Sequence, residues 1–218
     1  IRLKLIDWTW PELSGLREKL MSGWPAFVTQ FAPTLYTNST TFILGLSTTP
    51  TILGFYAAAL RIIDVFNALA FLMTNAFLPL LARKPSAHQW IKWLMVASGL
   101  CVSSILFLSA PWITWLLFEQ HQEEITVLIQ LISPMILFVF IRFTFGHGYL
   151  MLVGKERTYQ NVVFYCALLG FACSWWLIPK YQDIGAGAVM VLTSMVMAGF
   201  TFYLAFLART VLPRKESV

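Results

Sequence analysis

Charge is what this sequence has least of. Asp, Glu, Lys and Arg make up 11% of its 218 residues, where a soluble domain carries about 25%. Fifteen basic and ten acidic side chains are too few to clothe a water-soluble globule of this length. An apolar content of 58% equally excludes a disordered chain, which has too little hydrophobic surface to offset its conformational entropy. Cysteine is scarce too. Cys101, Cys166 and Cys173 all lie in apolar stretches, with no C-x-x-C and no histidine at metal-ligand spacing. That excludes a disulfide-stapled scaffold and leaves them as small packing residues. Also missing are G-x-S-x-G, H-E-x-x-H, a P-loop and any paired acidic motif suited to a nucleotide-sugar, so no catalytic activity, cofactor or metal is expected. The segment from Ile1-Arg2-Leu3-Lys4 onward has no short apolar core followed by a small-residue cleavage site, and no signal peptide is expected. Alternating strands of about ten residues, the mark of a membrane β-barrel, do not occur.

Long hydrophobic runs are what the chain has instead. Six stand out, at about 23–46, 52–81, 90–117, 125–153, 158–178 and 184–208. A helix needs about 20 apolar residues to cross the hydrocarbon core, where every backbone polar group must be satisfied within the segment. The expected fold is therefore an all-α integral membrane protein with six transmembrane helices. The connectors carry breakers: Thr48-Thr49-Pro50-Thr51, Lys84-Pro85-Ser86, Gly154-Lys155-Glu156 and Pro179-Lys180-Tyr181. Residues 1–22, with Trp8, Trp10 and several charges among leucines, are expected as a cytoplasmic or interfacial linker, 23–208 as the membrane region, and 209–218 as a cytoplasmic tail. Pro25, Pro33, Pro79, Pro111 and Pro134 fall inside the runs and imply bends. Trp90, Trp93, Trp112, Trp115, Trp175 and Trp176 sit near run ends as interfacial anchors, and Cys166, Gly170 and Ser174 form a small-residue face suited to close helix packing.

The net charge of +5 invites a nucleic-acid partner, but the placement of the charges argues against one. Arg2, Lys4, Arg17, Lys19, Arg83, Lys84, Lys92, Lys155, Arg157, Arg209, Arg214 and Lys215 all fall on one side of the six runs, and Lys180 alone on the other. Cytoplasmic connectors of membrane proteins carry such an excess, which places both termini in the cytoplasm. The connector with Glu119, Glu123 and Glu124 then faces outside. With His121 it has the residue types to hold a divalent ion, yet a solvated charge run accounts for it better.

Arg61, Asp64 and Arg142 are the charged residues left inside the runs. Each costs roughly 2.5–3.5 kcal/mol at the centre of a lipid-facing helix, so they should face protein or water. Arg61 and Asp64, three apart, share a helix face. They either neutralise one another as a structural pair or line a cavity for an anionic ligand or a coupling cation. Asn67 and Asn75 continue that face, with Phe71 between them, and Gln30, Thr34, Asn38 and Thr41 make a similar stripe on the first run beside Thr37. Two such stripes suggest either a shared polar pathway or a structural hydrogen-bond seam. Arg142, followed by Gly146-His147-Gly148, either reaches the headgroups or binds phosphate, for which a guanidinium fork is well suited. His147 is expected as a simple interfacial residue.

The ordered strings along these runs resemble the carboxy-terminal half of a bacterial polysaccharide-repeat (O-antigen) flippase, of the superfamily that also holds multidrug exporters. They are Gly23-Trp24-Pro25, Ile43-Leu44-Gly45, Leu53-Gly54-Phe55-Tyr56-Ala57-Ala58-Ala59-Leu60-Arg61, Ala76-Phe77-Leu78-Pro79, Leu131-Ile132-Ser133-Pro134, Val153-Gly154-Lys155-Glu156, and Leu177-Ile178-Pro179-Lys180-Tyr181 leading into Ile184-Gly185-Ala186-Gly187-Ala188. Together they extend over about residues 15–210. The resemblance implies two six-helix lobes around a central cavity in the bacterial inner membrane, of which this chain is one. The implied partners are the missing amino-terminal lobe, membrane lipids, a coupling proton or sodium ion, and an undecaprenyl-diphosphate-linked oligosaccharide flipped between leaflets. Arg61 matches a basic cavity position of the family, whereas Asp64 and His147 belong to none of its motifs. A start at Ile1 instead of Met fits a fragment, natural or from a truncated gene, that is expected not to transport alone. The alternatives are a multidrug or other small-molecule exporter of the same superfamily, and a membrane-embedded polysaccharide acyltransferase or polymerase, although every outer loop is too short to hold the latter's catalytic groups.

Overall fold

Helix boundaries follow local chemistry closely. A computed structural model describes residues 13–83, 87–119 and 121–211. Helix α1 (Leu13–Ser47) ends where the hydroxyls of Ser47 and Thr48 donate back to the carbonyls of Ile43 and Leu44, each at 2.8 Å. Pro50, which has no N–H to leave unsatisfied, opens α2 (Pro50–Arg83). Helix α3 (Ala87–Leu117) follows, then a connector in which His121 takes a left-handed conformation ahead of α4 (Gln122–Ile132). Pro134 interrupts the hydrogen-bond ladder and begins α5 (Pro134–Arg142). The carbonyl of Ser133 at that break accepts from the Ser103 hydroxyl of α3 at 3.0 Å.

Beyond Arg142 the chain winds into a π-helix, Phe143–Leu150. Its wider turn is sustained by bonds five residues long, among them Met151 N–H to the Gly146 carbonyl at 3.3 Å and Lys155 N–H to the Leu150 carbonyl at 2.9 Å. Gly146 is required there, because any Cβ would run into the Tyr159 ring. Gly154, at φ 74°, closes the segment.

Helix α6 (Glu156–Val211) contains one non-helical residue, Gln182, at φ 49° and ψ −125°. There the helix folds back on itself, and Gly170 of the first arm lies against Thr193 of the second so closely that an added Cβ would sit 2.6 Å from the threonine oxygen. Pro179, expected at the connector, lies within the first arm instead. The reversal falls three residues later, at a residue with no breaker chemistry.

Among the described residues there is no strand. Four helical runs are long and apolar enough to cross a membrane: Pro50–Leu81, Gln89–Leu117, Gln122–Leu150 and Glu156–Ala208. The third is 50% buried against 28% for each of the first two, which puts the broken α4–α5–π run at the centre of the bundle. Its own Ile136, Phe140 and Leu150 are essentially fully buried, as are Tyr56 of α2, Met95 of α3 and Met190 of α6. Helix α1 packs mainly along α6 and touches α2 only lightly. It begins at Leu13, well ahead of the apolar run expected from about residue 23. Residues 1–12 of the expected linker, the Lys84-Pro85-Ser86 connector and residues 212–218 of the expected tail lie outside the described residues.

Candidate functional site

Helix α2 presents two faces. Tyr56, Ala59, Ile63, Ala70, Thr74 and Leu81 are buried at steps of three, four and seven, and they hold the helix to the core. On the other side Gly54, Ala57, Arg61, Asp64, Ala68 and Ala76 are exposed. The stripe expected on α2 is therefore divided. Arg61 and Asp64 point out of the bundle and form no ion pair with each other, so the mutual neutralisation weighed from their spacing is not how they are held. Asn67 turns toward the packed side, where its Oδ1 is buried and has no hydrogen-bond partner among the described residues. A buried acceptor left in that state costs about 1–3 kcal/mol, a standing incentive to take up a donor.

Helix α1 repeats the arrangement. Tyr36, Thr40, Ile43 and Leu44 are buried, while Thr34 and Asn38 are exposed and Thr37 and Thr41 half-buried. The Thr41 hydroxyl donates to the Thr37 carbonyl at 3.1 Å. Gln30 lies on α1, but its side chain is outside the described residues. The polar residue of α1 that does face the core is Thr40. Its hydroxyl donates to the Tyr36 carbonyl and lies 3.1 Å from the Ser174 hydroxyl of α6. The small-residue face of Cys166, Gly170 and Ser174 is buried along its length and receives α1 and the second arm of α6.

Arg142 sits at the junction of α5 and the π-helix, half-buried. Its Nη1 donates to the Met197 sulfur at 3.5 Å, and its guanidinium lies 4.8 Å from the centre of the Phe143 ring. These contacts tie it to α6 and to its own helix.

One polar contact was not apparent from the sequence. His147 of the π-helix lies 3.2 Å from Asn75 Oδ1 of α2, with the Phe71 and Phe143 rings beside its imidazole at 5.8 and 6.4 Å. His147 is thus half-buried and tied to a second helix, not the simple interfacial residue expected. Gly146 and Gly148 flank it, but nothing in that spacing marks a π-turn or a partner on α2, so the sequence carries no signal for the contact.

At the far end of α2, Phe55 lies near Phe118 and His121, so the start of α2 and the acidic α3–α4 connector share one end of the bundle. There His121 Nδ1 and Glu124 Oε2 form an exposed pair at 3.2 Å. Among the described residues no three His, Cys, Asp or Glu side chains gather as metal ligands. Lys92, at the start of α3, instead meets Tyr149 at the end of the π-helix, at the opposite end of the bundle.

Among the described residues, the exposed face of α2 carries a cation and an anion that do not pair, and α1 exposes an amide and a hydroxyl. The chain matches no protein-family model, no curated protein and no solved structure.

Proposed function

We propose that this chain is one six-helix lobe of a two-lobed membrane transporter. Within that class, we assign it as the carboxy-terminal half of a flippase that moves undecaprenyl-diphosphate-linked oligosaccharide repeat units across the bacterial inner membrane for O-antigen assembly. The six crossings are α1, α2, α3, the α4–α5–π run, and the two arms of α6, with both termini in the cytoplasm.

One observation carries this reading: Arg61 and Asp64 are exposed in the middle of α2. They lie 11 and 14 residues from Pro50, about 16 and 21 Å along the helix axis, well within a hydrocarbon core about 30 Å thick. An outward-facing charge at that depth costs roughly 2.5–3.5 kcal/mol against acyl chains. Water or protein against this face relieves that cost, and small residues at 54, 57, 68 and 76 leave room for either beside the exposed Val65 and Leu72. A second lobe across a wet cavity satisfies all of this. Arg61 then meets the diphosphate or an acidic sugar, Asp64 tempers its charge or carries the coupling ion, and Asn38 and Thr34 contact sugar hydroxyls.

The test is Arg61→Ala in the complete two-lobed protein. Surface polysaccharide should disappear while the amount of protein in the membrane stays unchanged. Equal loss of protein would reduce Arg61 to a structural residue and remove the support for a substrate-facing surface. Arg61→Lys should retain partial transport if a point charge suffices, and little if two parallel bonds to phosphate are needed.

A further inference from the structure

A second concave surface lies elsewhere, on the flank formed by α3, α5, the π-helix and the second arm of α6. It is a groove of about 860 Å³. Its two ends differ in chemistry. Gln89, Lys92, Trp93 and Tyr149 gather at one, whereas Val96, Phe138 and Met195 form the other. Along α6 the lining runs from Met195 to Phe206, twelve residues, which is about 16 Å of helix, or the depth of one leaflet of a core about 30 Å thick.

Lys92 anchors the polar end. Its ammonium lies 4.4 Å from the centre of the Tyr149 ring and 5.4 Å from that of Phe145, which in turn packs edge-on against Phe202 at 5.0 Å. A lysine held over two aromatic rings beside an exposed tryptophan is placed as interfacial side chains are, with its charge at headgroup level and apolar wall below. Arg83 at the close of α2 and Lys155 and Arg157 after the π-helix belong to the same end of the bundle, which the proposed sidedness sets at the cytoplasmic leaflet.

We infer that this groove is a binding site for an anionic glycerophospholipid of the cytoplasmic leaflet, with one acyl chain lying between α3 and the second arm of α6 and the phosphodiester against Lys92. Three features select that occupant. The groove is one leaflet deep, where a partner helix would call for a full span. Its wall is apolar over that depth, which suits a hydrocarbon chain. Its one cation among the described residues, Lys92, is at the mouth, which suits a headgroup carrying net negative charge. The site is separate from the outward face of α2, and its assignment does not depend on which substrate that face meets.

The lining also supplies a clean variant. Gly199 is on the groove wall, and an added Cβ there meets nothing within 4 Å. Gly199→Leu therefore intrudes into the groove from a point where its first added carbon displaces no neighbour. The experiment is native mass spectrometry of the full chain released from vesicles of phosphatidylglycerol and phosphatidylethanolamine in equal parts. The unaltered protein should retain one phosphatidylglycerol in preference to phosphatidylethanolamine. Lys92→Gln should lower the phosphatidylglycerol-bound fraction about fivefold and abolish the preference, and Gly199→Leu should remove retention of both lipids. Lipid retained equally by the Gly199→Leu protein would show nonspecific annular binding and overturn the site. A preference that survives Lys92→Gln would overturn the headgroup assignment, and a two-chain species that excludes lipid would assign the groove to a second copy.

Discussion

Thr40 and Ser174 join α1 to α6 through a pair of hydroxyls 3.1 Å apart, and each hydroxyl also serves a carbonyl of its own helix. Removal of either leaves the other satisfied, so the energy at stake is only that of the contact between helices. In a double-mutant cycle with Thr40→Val and Ser174→Ala, the coupling should be about 0.6 kcal/mol, measured by denaturant unfolding in detergent. A coupling of zero would mean that the two helices are held by shape alone. Other single residues differ in how far the sequence announces them. A lone Arg61 in an apolar run already points to a surface away from lipid, because the cost of the alternative is large and independent of the fold. The contact of Asn75 with His147 has no such signal. Its partners are 72 positions apart, and only the π-helix turns the imidazole toward α2.

At the scale of elements, helix starts and stops are legible wherever a residue's own backbone chemistry decides them, as at Pro50, Pro134 and Gly154. Two features escape that logic. The π-helix differs from an α-helix by one residue of hydrogen-bond register, which no side-chain pattern over 143–150 encodes. The reversal in α6 falls on Gln182, whose φ of 49° favours glycine, while Pro179 before it is accommodated inside the helix. A side chain held in that region stores about 1–3 kcal/mol. Gln182→Gly should therefore stabilise the protein by about 1 kcal/mol, seen as a rise of a few degrees in Tm. A fall in Tm would indicate that the glutamine side chain itself holds the turn.

For the whole molecule, scarce charge and long apolar runs make helical, membrane-length segments legible in the sequence, and the distribution of lysine and arginine suggests their sidedness. It does not reveal which run is enclosed. The central position of the α4–α5–π run depends on packing between helices far apart in sequence, and the polar stripes of α1 and α2 could be placed inside or outside the bundle only once those contacts were seen. The proposed six crossings make a direct prediction. In a background with Cys101, Cys166 and Cys173 replaced by alanine, Glu119→Cys and Tyr181→Cys should react with a membrane-impermeant maleimide added to intact cells. Arg157→Cys should react only after permeabilisation. The reverse pattern, or all three labelled alike, would sink the topology.

The fold-back at Gln182 also governs how the chain can be built. A reversal confined to one backbone position offers no slack, so on the proposed topology, with both arms as crossings, neither enters the bilayer far ahead of the other. The two must partition as one body, with Gly170 meeting Thr193 as they enter. On that topology the two arms are committed in a single biosynthetic step, and a ribosome that stalls between them would strand the first without the surface it was shaped to meet.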